Sequence, residues 1–424
     1  PHSSPEVAVV HNGIIENYQE IKQELQRESV VFISDTDTEV IAHLFARNLA
    51  LYDPRQALLK TVQRLHGAYA FVAISPQYPS LLFAARKSSA LCIGRTLDSH
   101  WIASDVLAFT GAAKEVLFMP DQSCALINHN HSELFDYANN QITQQWQACV
   151  GEWHDDGKQG YMHFMLKEIY EQKTVIAKTA QTIADSIINN TFYQQLGITE
   201  KQRNELSAVH FIACGTSYYA ARIGVYYLQE IAGIKAYAHL ASEFRYTHFI
   251  PDNNALYITI SQSGETADTL EALRMISQHG VLTATITNVA TSSMVREAAG
   301  AIITHAGREI AVASTKAFTT QLAALYFLAH ALGKSLSPQE AHDVAHNLIA
   351  AGWVLEQAID RHQHTVITDF VNKYAQKEKV IFLGRHVCYP LADEAALKLK
   401  EISYIFSLSY PAGELKHGPL ALVD

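Results

Sequence analysis

The sequence lacks the marks of a membrane, nucleic-acid or metal protein. No apolar run approaches the roughly 20 residues of a membrane span, and the apolar stretches are interrupted by polar residues. No cluster of Lys or Arg stands out, and the net charge is −10. That balance argues against nucleic acid or an anionic membrane as the main partner, so an anionic ligand must be held by a local site. Cysteine is sparse: Cys92, Cys124, Cys149, Cys214 and Cys388 are far apart, with no Cys-x-x-Cys. Such usage suits a reducing cytoplasm, where disulfides do not persist. Histidine is plentiful at 21 residues, yet no His-Glu-x-x-His or similar ligand spacing occurs, and His129-Asn-His131 reads as a solvated turn. No metal is expected. The chain opens at Pro1 without Met or signal peptide and stops at Asp424, just after the apolar run Pro419-Leu-Ala-Leu-Val. Both ends read as cuts through a longer protein.

What is present is ordinary globular composition, 48% hydrophobic and 17% charged over 424 residues, enough for two to four domains. Residues 1–150 mix strand-like runs (Val7 to Val10, Ala68 to Ile74, Leu81 to Ala85) with a helical one (Thr38 to Leu51). Pro76-Gln-Tyr-Pro79 splits two of these strands into an antiparallel hairpin, so this part reads as α+β. A Gly/Asp-rich stretch from Gly151 to Gly160, then a long amphipathic pattern from Phe164 to Ile188, place a domain boundary within 151–200. From Ala208 onward strand, loop and helix repeat: His210 to Ala213, Ala255 to Ile260 and Val281 to Thr287 each precede a helical segment. That alternation predicts a doubly wound α/β parallel sheet, whose ligands sit beyond the carboxyl ends of the strands.

Three turns lie at such places: Cys214-Gly-Thr-Ser217, Ser261-Gln-Ser-Gly-Glu-Thr266, and Ala311-Val-Ala-Ser314-Thr-Lys316 before the helix Ala317 to Leu332. The second is the most informative. Ser261, Ser263 and Thr266 offer hydroxyls, Gly264 lets the backbone come close, and the helix start adds unpaired N–H groups. It reads as a phosphate cradle. Hydroxyls in place of a P-loop's Gly-Lys-Ser/Thr point to the monoester of a small metabolite. Read only locally, Ser263-Gly-Glu-Thr266 is equally an ordinary capping box.

Sliding the chain against itself by 171 residues gives ten identities in 35 positions, from Val209/Val380 to Glu243/Glu414. That pattern reads as a duplicated domain. The copies differ where chemistry would sit: Cys214-Gly-Thr-Ser217 becomes Arg385-His-Val-Cys388, and Tyr227 becomes Lys398, three residues before Glu401. That i, i+3 spacing puts ammonium and carboxylate on one helix face, as a proton-transfer pair or as a solvated ion pair.

The motifs Ser261-Gln-Ser-Gly-Glu-Thr266, Ala313-Ser-Thr-Lys-Ala317 and Gly413-Glu-Leu-Lys-His-Gly-Pro419 resemble the sugar isomerase (SIS) domains of the glutamine:fructose-6-phosphate aminotransferases. His11-Asn-Gly-Ile-Ile-Glu-Asn17, Thr36-Asp-Thr-Glu39 and Lys167-Glu-Ile-Tyr-Glu-Gln172 match in the same order, so the resemblance covers nearly the whole chain. It implies a multidomain protein. Residues 1–150 would be a partial α+β glutaminase of the Ntn-hydrolase type (glutaminase type 2), and 151–200 a linker and helical segment. Residues 201–340 would be a first SIS domain and 371–424 part of a second, both doubly wound. The implied reaction converts D-fructose 6-phosphate and L-glutamine to D-glucosamine 6-phosphate and L-glutamate in the cytoplasm, with no redox or metal cofactor.

The resemblance also implies roles. Asn12 and Gly13 would form an oxyanion hole, although their local pattern reads as a tight turn after Val10. Asp37 would hold the amino group of glutamine. Ser261, Gln262, Ser263 and Thr266 would bind the sugar phosphate, with Ser217 and Ser314 near the sugar chain. Glu401 would shuttle the proton between C1 and C2, supported by Lys398. His417 would open the sugar ring from a neighbouring subunit, which requires at least a homodimer. The family's N-terminal nucleophilic Cys, an Arg that grips glutamine, and a C-terminal Schiff-base Lys have no counterpart among residues 1–424. The chain as written is therefore expected to be inactive in the full reaction while its parent is active. Two rivals use the same fold: a phosphosugar deglycase or isomerase, and a phosphosugar-binding regulator. The first would not carry residues 1–150, and the second would not need Lys398, Glu401 and His417 together.

Overall fold

A computed structural model of the chain describes residues 1–109, 111–149 and 157–423. It falls into two compact units, Pro1–Asp155 and Asp156–Asp424. Most of the Gly/Asp-rich stretch expected to mark a boundary, residues 151–156, lies outside the described residues. Among the described residues no helix is long and apolar enough to cross a membrane.

The first unit is built from two antiparallel sheets and helices. A six-stranded sheet has the order His2–Ser3, Ala8–Ile15, Gly67–Ile74, Leu82–Lys87, Ser123–Ile127, Ser132–Asp136. One face buries Tyr69, Phe71, Phe83 and Phe135 against the helices Tyr18–Arg27, Thr38–Leu49 and Pro54–Val62. From the other face Ala70, Ala84 and Ala125 pack with Ile93 and Leu117 of a second, four-stranded sheet. Alternation of the pleat sends successive residues to opposite cores. The expected hairpin is present as Gly67–Ile74 paired antiparallel with Leu82–Lys87.

Asn12 and Gly13 correct the local reading. They lie inside the strand Ala8–Ile15, paired with Ala70 and Tyr69, and form no turn. Gly13 has φ +135°, and a Cβ there would stand 2.2 Å from the Ala68 carbonyl oxygen and 2.7 Å from Tyr69 Cα. Glycine is required because the neighbouring backbone occupies the space of a side chain.

The second unit carries a five-stranded, all-parallel sheet in the order Lys235–Leu240, Ala208–Ala213, Ala255–Ser261, Leu282–Thr287, Ala301–Ile303. Every residue of Ala255–Ser261 is buried, as a central strand covered on both faces requires. The helix Lys316–Gly333 is apolar nearly all round and buries Phe318, Leu325, Phe327, Leu328 and Leu332 in this core. Helix Phe164–Ile188 packs along it. The chain visits the strand Lys235–Leu240 on one side of Ala208–Ala213 before crossing to Ala255–Ser261 on the other. That reversal is the topological switch point of an open parallel sheet, where ligands bind.

The duplication is also geometric. Strand Lys379–Gly384 pairs parallel with Phe406–Pro411, Lys379 opposite Phe406, and the first copy pairs Ala208 with Lys235 in the same register. Helix Gly215–Tyr227 has Cys388–Ser403 as its counterpart. Even the left-handed backbone positions coincide: Gly215 (φ 53°) with His386 (φ 56°), and Gly233 (φ 66°) with Tyr404 (φ 59°). A non-glycine residue in that region costs about 1–2 kcal/mol, so the second copy follows the same backbone path without either glycine.

Candidate active site

Two turns flank the switch point. Cys214–Ser217 follows strand Ala208–Ala213 and opens helix Gly215–Tyr227, while Ser261–Thr266 follows Ala255–Ser261 and leads into Ala267–Ser277. The helix that follows the second turn reaches the first: Thr269 Oγ1 donates to Cys214 Sγ at 3.9 Å.

The hydroxyl turn does not cap its helix with side chains. Thr266 is the N-cap residue and makes no side-chain cap bond, so the local capping-box reading fails. Its Oγ1 lies 2.8 Å from Ser261 Oγ, which also accepts the Gly264 N–H at 3.0 Å and stands 3.5 Å from Ser263 Oγ. Ser263 Oγ in turn accepts the Glu265 N–H at 3.1 Å. Glu265 leaves the turn to accept the Ser293 N–H at 2.7 Å. Three hydroxyls therefore converge in a loop that is only partly covered. The Gln262 carbonyl accepts the Asn288 N–H at 3.1 Å, which ties the turn to the end of the neighbouring strand. Gly264 adopts φ +67°, and a Cβ there would lie 2.2 Å from Ser292 Oγ.

Ser217 is buried in the first turn of its helix and accepts a hydrogen bond from Gln321 Nε2 at 3.0 Å. Ser314 donates to Glu309 Oε2 at 2.8 Å, while Glu309 Oε1 accepts the N–H groups of Thr315 (2.8 Å) and Ala317 (3.2 Å). Glu309 thus caps the helix Lys316–Gly333 from outside it, where a carboxylate also complements the helix dipole. The same loop is pinned to Lys167–Gln172. Glu168 Oε1 accepts the N–H groups of Ile310 and Ala311 at 2.6 and 3.2 Å, and Lys316 Nζ pairs with Glu171 at 2.6 Å.

The second copy approaches this site through its helix Cys388–Ser403. Lys398 Nζ lies 2.7 Å from Glu401 and 3.5 Å from Glu394. Glu394 is 6% exposed, and its Oε1 accepts a hydrogen bond from Thr216 Oγ1 of the first copy at 3.1 Å. Its Oε2 is buried and has no hydrogen-bond partner among the described residues. Burial pushes the Glu394 carboxyl up to about 7, against the opposing pull of Lys398 and Thr216. Glu401 by contrast is exposed. His417 is exposed in the turn between Ala412–Glu414 and Pro419–Leu422.

In the first unit, Asp37 Oδ2 accepts the Ile15 N–H at 2.7 Å, at the end of the strand that carries Asn12 and Gly13. His11 Nδ1 lies 2.9 Å from Thr38 Oγ1. Burial lowers the His11 pKa, with Asp37 opposing. Asp37 and the Asn12-Gly13 segment are thus brought to one place by the packing of helix Thr38–Leu49 on the sheet.

Comparison with known proteins agrees with this division. The glutamine amidotransferase domain matches residues 2–111, and the SIS domain matches twice, at 206–331 and 373–424. The glutamine–fructose-6-phosphate aminotransferase (isomerizing) of Idiomarina loihiensis is 43% identical over 431 residues, covering 100% of this chain and 70% of the relative. That of Bordetella pertussis is 44% identical, covering 99% and 68%. The chain belongs to the glutamine–fructose-6-phosphate aminotransferase family. Among solved structures, the C-terminal domain of the Francisella tularensis glucosamine-fructose-6-phosphate aminotransferase superposes with a TM-score of 0.56 at 41% identity. It covers 63% of this chain and 75% of that one.

For an aminotransferase of this family, the structure adds residues that the sequence reading did not single out. Glu394, Glu309 and Gln321 touch or support the residues proposed from motifs. Glu394 sits four residues before Lys398, so the i, i+4 spacing was a usable signal. Its bond to Thr216 spans 178 residues and left no trace in the sequence.

The raised Glu394 pKa has a consequence for stability. Folded, the carboxyl keeps its proton up to about pH 7, whereas the unfolded chain loses it near 4.5. Unfolding therefore releases a proton in that window, and stability falls as pH rises through it, by about 3 kcal/mol. Below about pH 4.5 this penalty is absent. Glu394→Gln cannot ionise and is expected to flatten the decline. Urea midpoints of wild type and variant at about pH 5 and about pH 7.5 check this; parallel midpoints in both proteins would contradict it.

Proposed function

We propose that this protein converts D-fructose 6-phosphate and L-glutamine to D-glucosamine 6-phosphate and L-glutamate. The sugar phosphate is held by the Ser261–Thr266 turn, including Gln262, with Ser217 and Ser314 along the sugar chain. Hydroxyls and helix-start N–H groups suit a phosphate monoester, because they donate to its oxygens without needing a cation. Glu401 moves the proton between C1 and C2, and Lys398 holds that carboxylate in place. His417 assists ring opening, supplied by a second subunit of a homodimer. In the amidotransferase half, Asn12 and Gly13 hold the developing oxyanion and Asp37 the amino group of glutamine. We assign residues 1–150 to that half, 151–200 to the linker and helical segment, 201–340 to the first SIS domain and 371–424 to the second. The cytoplasm is the compartment we expect.

The observation that supports the reading best is the meeting of the two copies at the switch point. The hydroxyl turn belongs to one, the Lys398–Glu401 pair to the other, and Thr216–Glu394 joins them. The amidotransferase match at residues 2–111 speaks against a deglycase, a simple isomerase or a regulator. To test the reading, the whole reading frame that contains these 424 residues is expressed and incubated with glutamine and fructose 6-phosphate. Formation of glucosamine 6-phosphate and glutamate in equal amounts is expected. Glutamine hydrolysis without amino sugar, or phosphosugar binding without turnover, would overturn it.

A further inference from the structure

Arg222 and Asp393 are counterparts in the duplication, 171 residues apart, and their side chains meet: Arg222 Nη1 donates to Asp393 Oδ2. In a two-fold relation between two copies, a position that touches its own counterpart lies on the axis, because an isologous contact returns to itself only there. The surroundings obey the same relation. Tyr218 and Tyr389 are counterparts too, and the Arg222 guanidinium carbon stands 5.8 Å and 4.6 Å from their ring centroids. Strict identity at such a position would set two like charges face to face. Here the copies carry opposite charges. Asp393 is 8% exposed, and its second oxygen accepts from Ser409 Oγ on the strand Phe406–Pro411, so the carboxylate is held from both copies.

The pair sits where alignment of the two helices matters. On helix Gly215–Tyr227, Arg222 follows Thr216 and Ser217 by about one and a half turns. On helix Cys388–Ser403, Asp393 immediately precedes Glu394, and Lys398 and Glu401 follow on the next turns. A slip of one helix past the other by a single turn, about 5.4 Å, would separate Thr216 from Glu394 and carry Lys398 and Glu401 away from the first copy. Apolar contacts between Tyr and Ala side chains tolerate such sliding, whereas a two-sided ion pair has one register.

We propose that the Arg222–Asp393 pair is a positioning clasp on the axis between the two copies, fixing where Lys398 and Glu401 stand relative to the hydroxyl turn. The clasp rests on the reading that both copies serve one phosphosugar. Neither residue is among those assigned to the phosphate or to the reacting carbons, so its loss should spare binding and slow chemistry. A displacement of about 1 Å at a reacting group costs up to about 100-fold in rate.

The test compares three variants of the enzyme made from the whole reading frame. Asp393→Ala leaves an unpaired guanidinium; Arg222→Met with Asp393→Leu replaces the pair by apolar groups of similar size, which guards against simple misfolding; Arg222→Asp with Asp393→Arg exchanges the charges across the axis. The expected result is a kcat about 10- to 100-fold lower in the first two, with fructose 6-phosphate affinity by calorimetry within about threefold of wild type. The exchanged pair should recover part of the lost kcat, because the axis makes the two positions interchangeable apart from Ser409. A wild-type kcat in the apolar double variant would overturn the clasp, as would equal losses of binding and turnover in all three. If wild type itself fails to turn over fructose 6-phosphate, the functional reading fails. The clasp is then decided by NMR titration of Glu394: a carboxyl pKa that drops in the apolar variant supports the clasp, and an unchanged one refutes it.

Discussion

Replacing Gly264 with alanine is expected to weaken fructose 6-phosphate binding by at least about 100-fold and to destabilise the second unit by about 2–4 kcal/mol. Gly264 holds φ +67°, where an L side chain is strained, and its added Cβ would stand 2.2 Å from Ser292 Oγ, 2.4 Å from Ser292 Cβ and 2.9 Å from Thr287 Oγ1. Neither neighbour yields easily. Ser292 is buried at the start of the helix Ser293–Glu297, and Thr287 ends a central strand. The turn must therefore move, and with it the Gly264 N–H that Ser261 Oγ accepts. Calorimetric titration with fructose 6-phosphate, alongside a urea melt, separates the two effects. An alanine variant that binds as wild type does would show that this backbone is not part of the phosphate cradle.

The second large effect is expected at Glu401. Glutamine at this position keeps the shape and an acceptor for Lys398, yet it cannot take up a proton. Glu401→Gln should therefore slow proton exchange at C1 and C2 of the bound sugar by about 10²- to 10⁴-fold, the usual worth of a positioned base, while phosphosugar affinity stays within about threefold. Deuterium incorporation from heavy water into the sugar phosphate, followed by NMR, reads the step directly. Unchanged exchange would move the base elsewhere, with Glu394 next in line because it is buried beside the same lysine.

Much of the fold was legible because its signals are local. The run Ala255 to Ile260 is continuous, β-branched and aromatic, and forms a fully buried strand. The amphipathic pattern Phe164 to Ile188 is a helix with those bounds. The 171-residue duplication reappears as matching strands with matching register. Local signals misled where a distant partner decides the backbone. Asn12-Gly13 has turn chemistry, but Gly13 sits in a strand at φ +135° against Ala68 and Tyr69, whose backbone leaves no room for a Cβ. Ser263 to Thr266 has capping chemistry, yet Thr266 turns toward Ser261 and Glu265 toward Ser293.

The candidate site divides the same way. Its hydroxyls and the Lys398–Glu401 spacing lie within short motifs and were visible. Glu394 was not, because its character comes from burial between the copies and from Thr216, 178 residues earlier. Glu309 and Glu168 escaped for a related reason. Their carboxylates satisfy backbone N–H groups of the Ser314 loop, and acceptors of that kind carry no periodic signature.

The most direct measurement is a crystal structure of the enzyme with fructose 6-phosphate bound. The phosphate should lie within hydrogen-bond distance of the Ser261, Ser263 and Thr266 hydroxyls, with C1 and C2 facing Glu401. A phosphate seated elsewhere, or a sugar that turns C1 and C2 away from the second copy, would contradict the account.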